Sequence, residues 1–359
     1  MSFASKVALV VLGAGLAGLG SPGCSGDEAE RSASGSVRPT VSLLAVGDTG
    51  SPRGALPFLF DGQIAVGAAM QRAHRVSPVD AVVLLGDNFY PDGLHADELV
   101  PRILENVARP YCAFVEPSAE LASRLGGDCP PVAGPVPRLL VALGNHDLKT
   151  PGSIELERDA VPRHVLNWEL PAPSSPAVRE LPGGLSLVFL DTEWPWGGAE
   201  VAELAGALEA ARGPWRVIVG HRPPITGHPK LSKMIERASR QSGRIVHAYL
   251  AGHVHGLVAV RGRQNAPVLT VVAGSGSEVD LQSAPEYRID DGDVVAAKLG
   301  FVRLDGFADA EPTGEPAHLR ISLLAVPPSA ALASLGTSEI ARYEILLDGS
   351  LRRTDARQE

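Results

Sequence analysis

Five apolar runs in this chain stop at a glycine, and each glycine is followed by an aspartate, an asparagine or a histidine. They are Leu43–Asp48 (LLAVGD), Ala81–Asp87 (AVVLLGD), Leu139–Asn145 (LLVALGN), Val217–His221 (VIVGH) and Tyr249–His255 (YLAGHVH). Short continuous apolar runs bounded by glycine read as strands buried on both faces. A buried strand that stops at Gly-Asp hands its carboxylate to the carboxyl edge of the sheet, where open α/β folds place their ligands. One Gly-Asp at a strand end is usually a turn, and one Gly-His is no evidence of metal. Five in order, all ending in oxygen or imidazole donors, point to a single metal site.

The segments between these runs set the fold. Gln63 to Val76, Leu94 to Val107, Glu200 to Ala211 and the stretch near Leu231–Arg240 have helical spacing or composition, and Leu185–Leu190 (LSLVFL) is a further strand. Beyond His255 the pattern becomes strand upon strand: Val268–Ala273, Phe301–Leu304, Leu319–Leu324 and Arg342–Leu347. Alternating βα units followed by a run of strands predict an α/β fold of two packed mixed β-sheets flanked by helices, in four layers. Residues 150–180 are rich in proline and read as loop with one short helix.

The amino end has a different grammar. Lys6 precedes an apolar stretch, Val7 to Leu19, too short to span a bilayer comfortably, and Gly23-Cys24 and a polar tether follow. A positive start, a short apolar core and small residues read as an export signal over residues 1–36, leaving residues 37–355 as one domain. Gly13-Ala14-Gly15-Leu16-Ala17-Gly18 matches the GxGxxG dinucleotide pattern, but no second strand follows until Val41, so it is better read as signal core. The formal net charge is −9 and Lys and Arg form no long runs, which argues against a nucleic-acid groove. With Cys24 set aside, Cys112 and Cys129 remain as an even pair for an oxidising compartment, and a disulfide between them is expected.

The strand ends bring together Asp48, Asp87, Tyr90, Asn145, His146, His221, His253 and His255. Two hard ions a few Å apart need a shared anionic oxygen, which a carboxylate on a central strand end supplies. His253 and His255 are two apart, so an extended backbone aims both to one side.

Gly47-Asp48, Gly86-Asp87-Asn88-Phe89-Tyr90, Gly144-Asn145-His146-Asp147, Gly220-His221 and Gly252-His253-Val254-His255 resemble, in order, the five blocks of the calcineurin-like metallophosphoesterases. The spacing from Asp87 to Tyr90 is similar to that of purple acid phosphatases, particularly the small tartrate-resistant type. Gly50 stands where many relatives have a first-block histidine, and Tyr90 takes its place as a candidate ligand. The resemblance implies Asp48, Tyr90 and His255 on Fe(III). It places Asn145, His221 and His253 on a divalent ion (Fe, Zn or Mn), with Asp87 bridging. The implied reaction is hydrolysis of a small phosphate monoester by a metal-bound hydroxide, with His146 as proton donor to the leaving group and Asn145 and His228 also facing substrate. Thr49 replaces the tryptophan familiar after the first aspartate, and Asp191 reads as structural support. Trp194 and Trp196 are more readily packing than pocket lining. Gly23-Cys24 resembles a lipoprotein signal, with Ser21 in place of the usual leucine. It implies a lipid anchor on Cys24 in a bacterial envelope, or otherwise a periplasmic or extracellular protein. The alternatives are a phosphodiesterase or nucleotide phosphatase with the same centre, or a non-catalytic binding lipoprotein of the same fold.

Overall fold

Strand β1 (Val41–Val46) is buried at every position because it carries no polar residue except Ser42, whose hydroxyl donates to Asp305 at 2.6 Å. The structure is a computed structural model describing residues 38–50, 61–128, 134–171, 176–193, 197–225, 229–262, 266–280, 293–309, 314–329 and 336–354. Helix α1 (Gly62–Val76) starts at Asp61, whose carboxylate accepts the Ile64 N–H. Such a cap satisfies a backbone donor that the first turn leaves without a partner. The chain then returns as β2 (Ala81–Leu85), parallel to β1, and later as β3 (Arg138–Ala142) and the short β4 (Trp168–Glu169), each parallel to its neighbour.

The second sheet begins with β5 (Ala177–Leu181) and β6 (Leu185–Phe189), an antiparallel pair. Helix α2 (Gly198–Ala210) leads to β7 (Trp215–Val219), and α3 (Pro229–Ser242) leads to β8 (Ala248–Ala251). There follow β9 (Leu257–Arg261), β10 (Leu269–Ala273) and β11 (Val294–Ala296). The first sheet is then extended antiparallel by β12 (Gly300–Phe307), β13 (His318–Ala325), β14 (Ser338–Leu346) and β15 (Leu351–Thr354). The strand orders are β15-β14-β13-β12-β1-β2-β3-β4 and β11-β9-β10-β8-β7-β6-β5.

Alternate side chains on the central strands go to different layers. Leu43, Val83 and Leu140 face Leu187, Val217 and Leu250 between the sheets. Their neighbours Leu44, Val82 and Val141 face outward onto Val66 and Met70 of α1 and onto Ile103, Tyr111 and Phe114. On the other side Val188, Ile218 and Tyr249 meet Leu204 and Leu208 of α2 and Leu231 and Ile235 of α3. Each such side chain contributes roughly 1.5–3 kcal/mol on burial. The expected sandwich of two mixed sheets between helices is therefore present.

Local differences have physical causes. The segment read as loop contains β4 and β5, and β5 is an edge strand whose residues Ala177 to Glu180 are only half buried, so its apolar signal is weak. Strands β9, β11 and β15 were also not expected. The helix expected over Leu94–Val107 is shorter, running from Leu99 and continuing as a wider turn to Ala108.

Candidate metal centre

The residues just past β1, β2 and β8 have unusual backbones. Asp48, Asp87 and His253 have φ of 56°, 55° and 71°, and they are the only non-glycine residues with positive φ among the described residues. Such conformations cost on the order of 1–3 kcal/mol each and persist where surrounding structure over-determines them. Here the turns lock one another. The His253 N–H donates to Asp48 Oδ2 at 2.8 Å, and the His146 N–H donates to Asp87 Oδ1 at 2.7 Å. Gly252 and Gly144 make this approach possible, since a Cβ at either would overlap the carboxylate of Asp48 or Asp87 respectively.

The side chains converge on these two carboxylates. The Tyr90 hydroxyl lies 2.9 Å from both Asp48 Oδ1 and Asp87 Oδ2, and 3.1 Å from His255 Nε2. His255 Nε2 is 3.3 Å from Asp48 Oδ1. His221 Nε2 is 3.3 Å from Asp87 Oδ2 and 3.3 Å from Asn145 Oδ1, and the His253 ring stands edge-on to the His221 ring at 5.1 Å. Donor atoms of Asp48, Asp87 and His221 all lie within 4.8 Å of one another, and all three residues are buried. Seven residues expected as ligands are thus gathered, with Asp87 between the Tyr90 side and the Asn145–His221 side.

The electrostatics favour positive charge beside the two carboxylates. Burial disfavours the Asp87 carboxylate, but the charge and hydrogen bond of His221 outweigh it and hold Asp87 well below the usual carboxylate range. Burial likewise opposes a charged His221, yet Asp87 and Asp48 raise it to about 9. His255 is raised against its burial by Asp48 and Glu278. Burial and the same two carboxylates push the Tyr90 hydroxyl far above a free phenol, so a proton stays on it unless a stronger cation takes its place.

The donor set fits metal ions. His221 Nδ1 sits 2.9 Å from the Leu85 carbonyl, which can only accept, so Nδ1 carries a hydrogen and Nε2 is the nitrogen turned to Asp87 and Asn145. A ring nitrogen fixed by a backbone carbonyl is the usual support for a metal-binding histidine. Carboxylate, phenol, amide and imidazole together suit a hard or borderline ion.

A second layer was not foreseen in the sequence. Asp147 accepts the backbone N–H groups of Asn88, Phe89 and Gly144, tying the second block to the third. Burial and the Asp87 charge raise Asp147 to about 7, and burial with the Asp147 charge raises the fully buried Glu157 beside it. On the opposite side Glu193 grips Arg222 through Nε at 2.8 Å and Nη2 at 2.9 Å, and Arg222 Nη1 lies 3.0 Å from His253 Nε2. Position in sequence offered one hint, since Arg222 directly follows His221. Glu193 lies too far along the chain to be paired with it by inspection. Asp191 acts as support, accepting the Glu193 N–H at 2.8 Å.

His146 uses its backbone on Asp87 while its ring lies 4.2 Å from the Tyr90 ring and 2.8 Å from Lys149 Nζ. The adjoining cleft, about 300 Å³, is walled by Tyr90, Asp92, His95, Glu98 and Arg102 among others. His228, Trp194, Trp196, Cys129 and the whole amino-terminal signal lie outside the described residues. Cys112 is half-buried and forms no disulfide with another described residue.

Several solved structures share this architecture. GAP50, the anchor in the inner membrane complex of Plasmodium, is 14% identical with a TM-score of 0.56, over 84% of this chain and 89% of that one. A purple acid phosphatase from yellow lupin (Lupinus luteus) seeds is 16% identical with a TM-score of 0.53, over 85% of this chain and 53% of that one. PhoD is 14% identical with a TM-score of 0.53, over 90% of this chain and 73% of that one. Likeness at these identities speaks to the fold. A comparison with curated proteins gives no match. The family model for calcineurin-like phosphoesterases matches residues 41–257, a span holding every strand end described above, and the chain belongs to that family.

Proposed function

We propose that this chain is a phosphatase of the purple acid phosphatase type, hydrolysing small phosphate monoesters at a centre of one Fe(III) and one divalent ion. The observation that carries this reading is the position of Tyr90. Its hydroxyl meets Asp48, Asp87 and His255 at one point, deep enough that a proton is hard to remove. A phenol with an ordinary pKa near 10 binds zinc or magnesium poorly, whereas a trivalent ion can displace its proton. Asp48, Tyr90 and His255 would hold that ion, and Asn145, His221 and His253 the divalent one, with Asp87 shared. The ions, when bound, supply Lewis acidity toward phosphoryl oxygens and bring the pKa of water down to where it attacks near neutral pH.

The chain's own residues do the rest. Asp87, fixed by the His146 N–H and the His221 ring, sets the separation of the two halves of the site. Asn145 presents an amide without adding negative charge, so an anionic ester is not repelled. A ring nitrogen of His146 would give a proton to the departing alkoxide, the step that limits esters with poor leaving groups. Loss of a ligand position would mark the non-catalytic reading, and all seven are present. The monoester reading over a diesterase rests on resemblance in the second block. It predicts little gain in activity from a second substituent on phosphorus. Residues 1–36 we read as an export signal with a lipid anchor on Cys24, which mass spectrometry of the mature amino terminus tests.

The sharpest test is Tyr90→Phe. Phenolate-to-iron charge transfer should give the wild type a purple or pink colour, and the variant should lose the band while keeping its fold. An active, iron-loaded wild type without a visible band removes Tyr90 from the ligand set and the ferric ion from the centre.

A further inference from the structure

Arg222 is held more firmly than an ordinary residue at the edge of a site. Its backbone N–H donates to Thr192 Oγ1 at 3.0 Å, and its carbonyl accepts the Tyr249 hydroxyl at 2.9 Å. Its guanidinium is gripped through Nε and Nη2 by Glu193, whose side chain is only 10% exposed. That leaves Nη1 directed at His253 Nε2, 3.0 Å away.

A guanidinium is always protonated and can only donate, so at this distance Nε2 must present its lone pair to Nη1 and the hydrogen must sit on Nδ1. A metal ion also needs a lone pair of that ring. An ion on Nε2 would take the lone pair that Nη1 uses. An ion on Nδ1 would move the ring hydrogen to Nε2, where it would confront Nη1. In either case Nη1 must leave His253 while Nε and Nη2 can remain on Glu193.

We propose that Arg222 and the divalent ion make competing claims on His253, and that the ion's arrival turns Nη1 into a donor for the phosphoryl oxygens. This rests on the function proposed above and adds a residue to it. Glu193 is the positioning residue, since it fixes the plane of the fork and leaves one edge toward the site. The chemistry favours an anion with several oxygens, because a guanidinium edge recognises such groups better than a point charge does. Specificity for a phosphoryl group with unsubstituted oxygens follows: an ester group on the oxygen facing Nη1 removes the acceptor.

The experiment measures divalent-ion affinity on the full-length protein carrying its first ion, and inorganic phosphate affinity on the protein carrying both, by calorimetry. Arg222→Met should bind the divalent ion about tenfold more tightly, the scale of losing a charge-assisted competitor, and phosphate on the order of tenfold more weakly. A merely structural role would weaken both. Arg222→Met leaves Glu193 without its partner, and that charge could attract the ion by itself. The double variant Arg222→Met/Glu193→Gln removes the pair without changing net charge, and it should still bind the divalent ion more tightly than wild type. Divalent-ion affinity equal to or below wild type in the double variant overturns the competition, and unchanged phosphate affinity overturns the donor role. A wild type that takes up no second ion overturns this inference together with the proposed function. A wild type that binds two ions and phosphate, with variants indistinguishable from it, overturns this inference alone.

Discussion

Histidine stands at both ends of β8, with His247 just before the strand and His253 and His255 just beyond it. At the near end, His247 Nδ1 accepts the Arg216 N–H at 3.1 Å and Nε2 donates to the Leu347 carbonyl at 3.2 Å. Both nitrogens are committed to backbone, the ring packs edge-on to Trp215 at 4.9 Å, and burial lowers its pKa to about 4. At the far end His255, and His221 just beyond the neighbouring β7, face the carboxylates of Asp48 and Asp87, and His221 rises to about 9 despite complete burial. The sheet is shared, and His247 and His221 are equally buried. What differs is the partner: neutral backbone groups fix an imidazole in one neutral form, and carboxylates make it a place for positive charge. A histidine at a strand end is therefore informative only together with the acids that meet it.

The largest effect expected from breaking this contrast is at Asp87. Asp87→Ala should lose both ions by elemental analysis and lower phosphate-ester turnover by on the order of 10³-fold, the scale of removing a preorganised electrostatic group. His247→Gln should keep both ions. An Asp87→Ala protein with two ions and normal turnover would show that Asp87 does not join the two halves.

Next come the pH responses, which should have opposite signs at the two ends. His221 has a folded pKa of about 9 against an ordinary 6.5, so in chelated protein its contribution is complete below 6.5 and is lost as pH rises through 9. His247 falls to about 4, so the unfolded chain binds the extra proton and stability is lost as pH falls from 6.5 through 4. Each limb is worth about 3 kcal/mol at most. Urea unfolding in chelator across this range should show His221→Gln flattening the alkaline limb and His247→Gln the acid one. If His221→Gln leaves the alkaline limb unchanged, the carboxylates do not hold charge on it.

The smallest effect concerns His146, which meets a carboxylate through its backbone N–H and keeps its ring at the rim. His146→Ala should slow alkyl esters by about 10²-fold and nitrophenyl esters only a few-fold, since the latter leave without a proton. Equal losses for both ester types would leave His146 a binding role and no proton to give.

Much of this contrast could be read along the chain. The five strand ends are legible because an all-apolar strand, a glycine and a polar donor form a local signature, and each candidate ligand lies within a few residues of its strand. His247 gave no such signal, since its partners Arg216 and Leu347 are backbone groups brought in by other strands. Glu193 and Arg222 were missed for the same reason, as was the role of Asp147 in joining two loops through three N–H groups. Strand β5 escaped because its sequence, AVREL, puts charges on an edge strand, where apolar alternation is diluted.

The left-handed backbones at Asp48, Asp87 and His253 carry an implication for inheritance. Glycine would relax the chain at each of these positions and leave the strands before them untouched. Glycine at Asp48 or Asp87 would, however, strip the His253 or His146 N–H of its acceptor, so these two positions resist drift to glycine even without a bound ion. The three side chains are held against the local preference of the backbone by the contacts that join one strand end to the next.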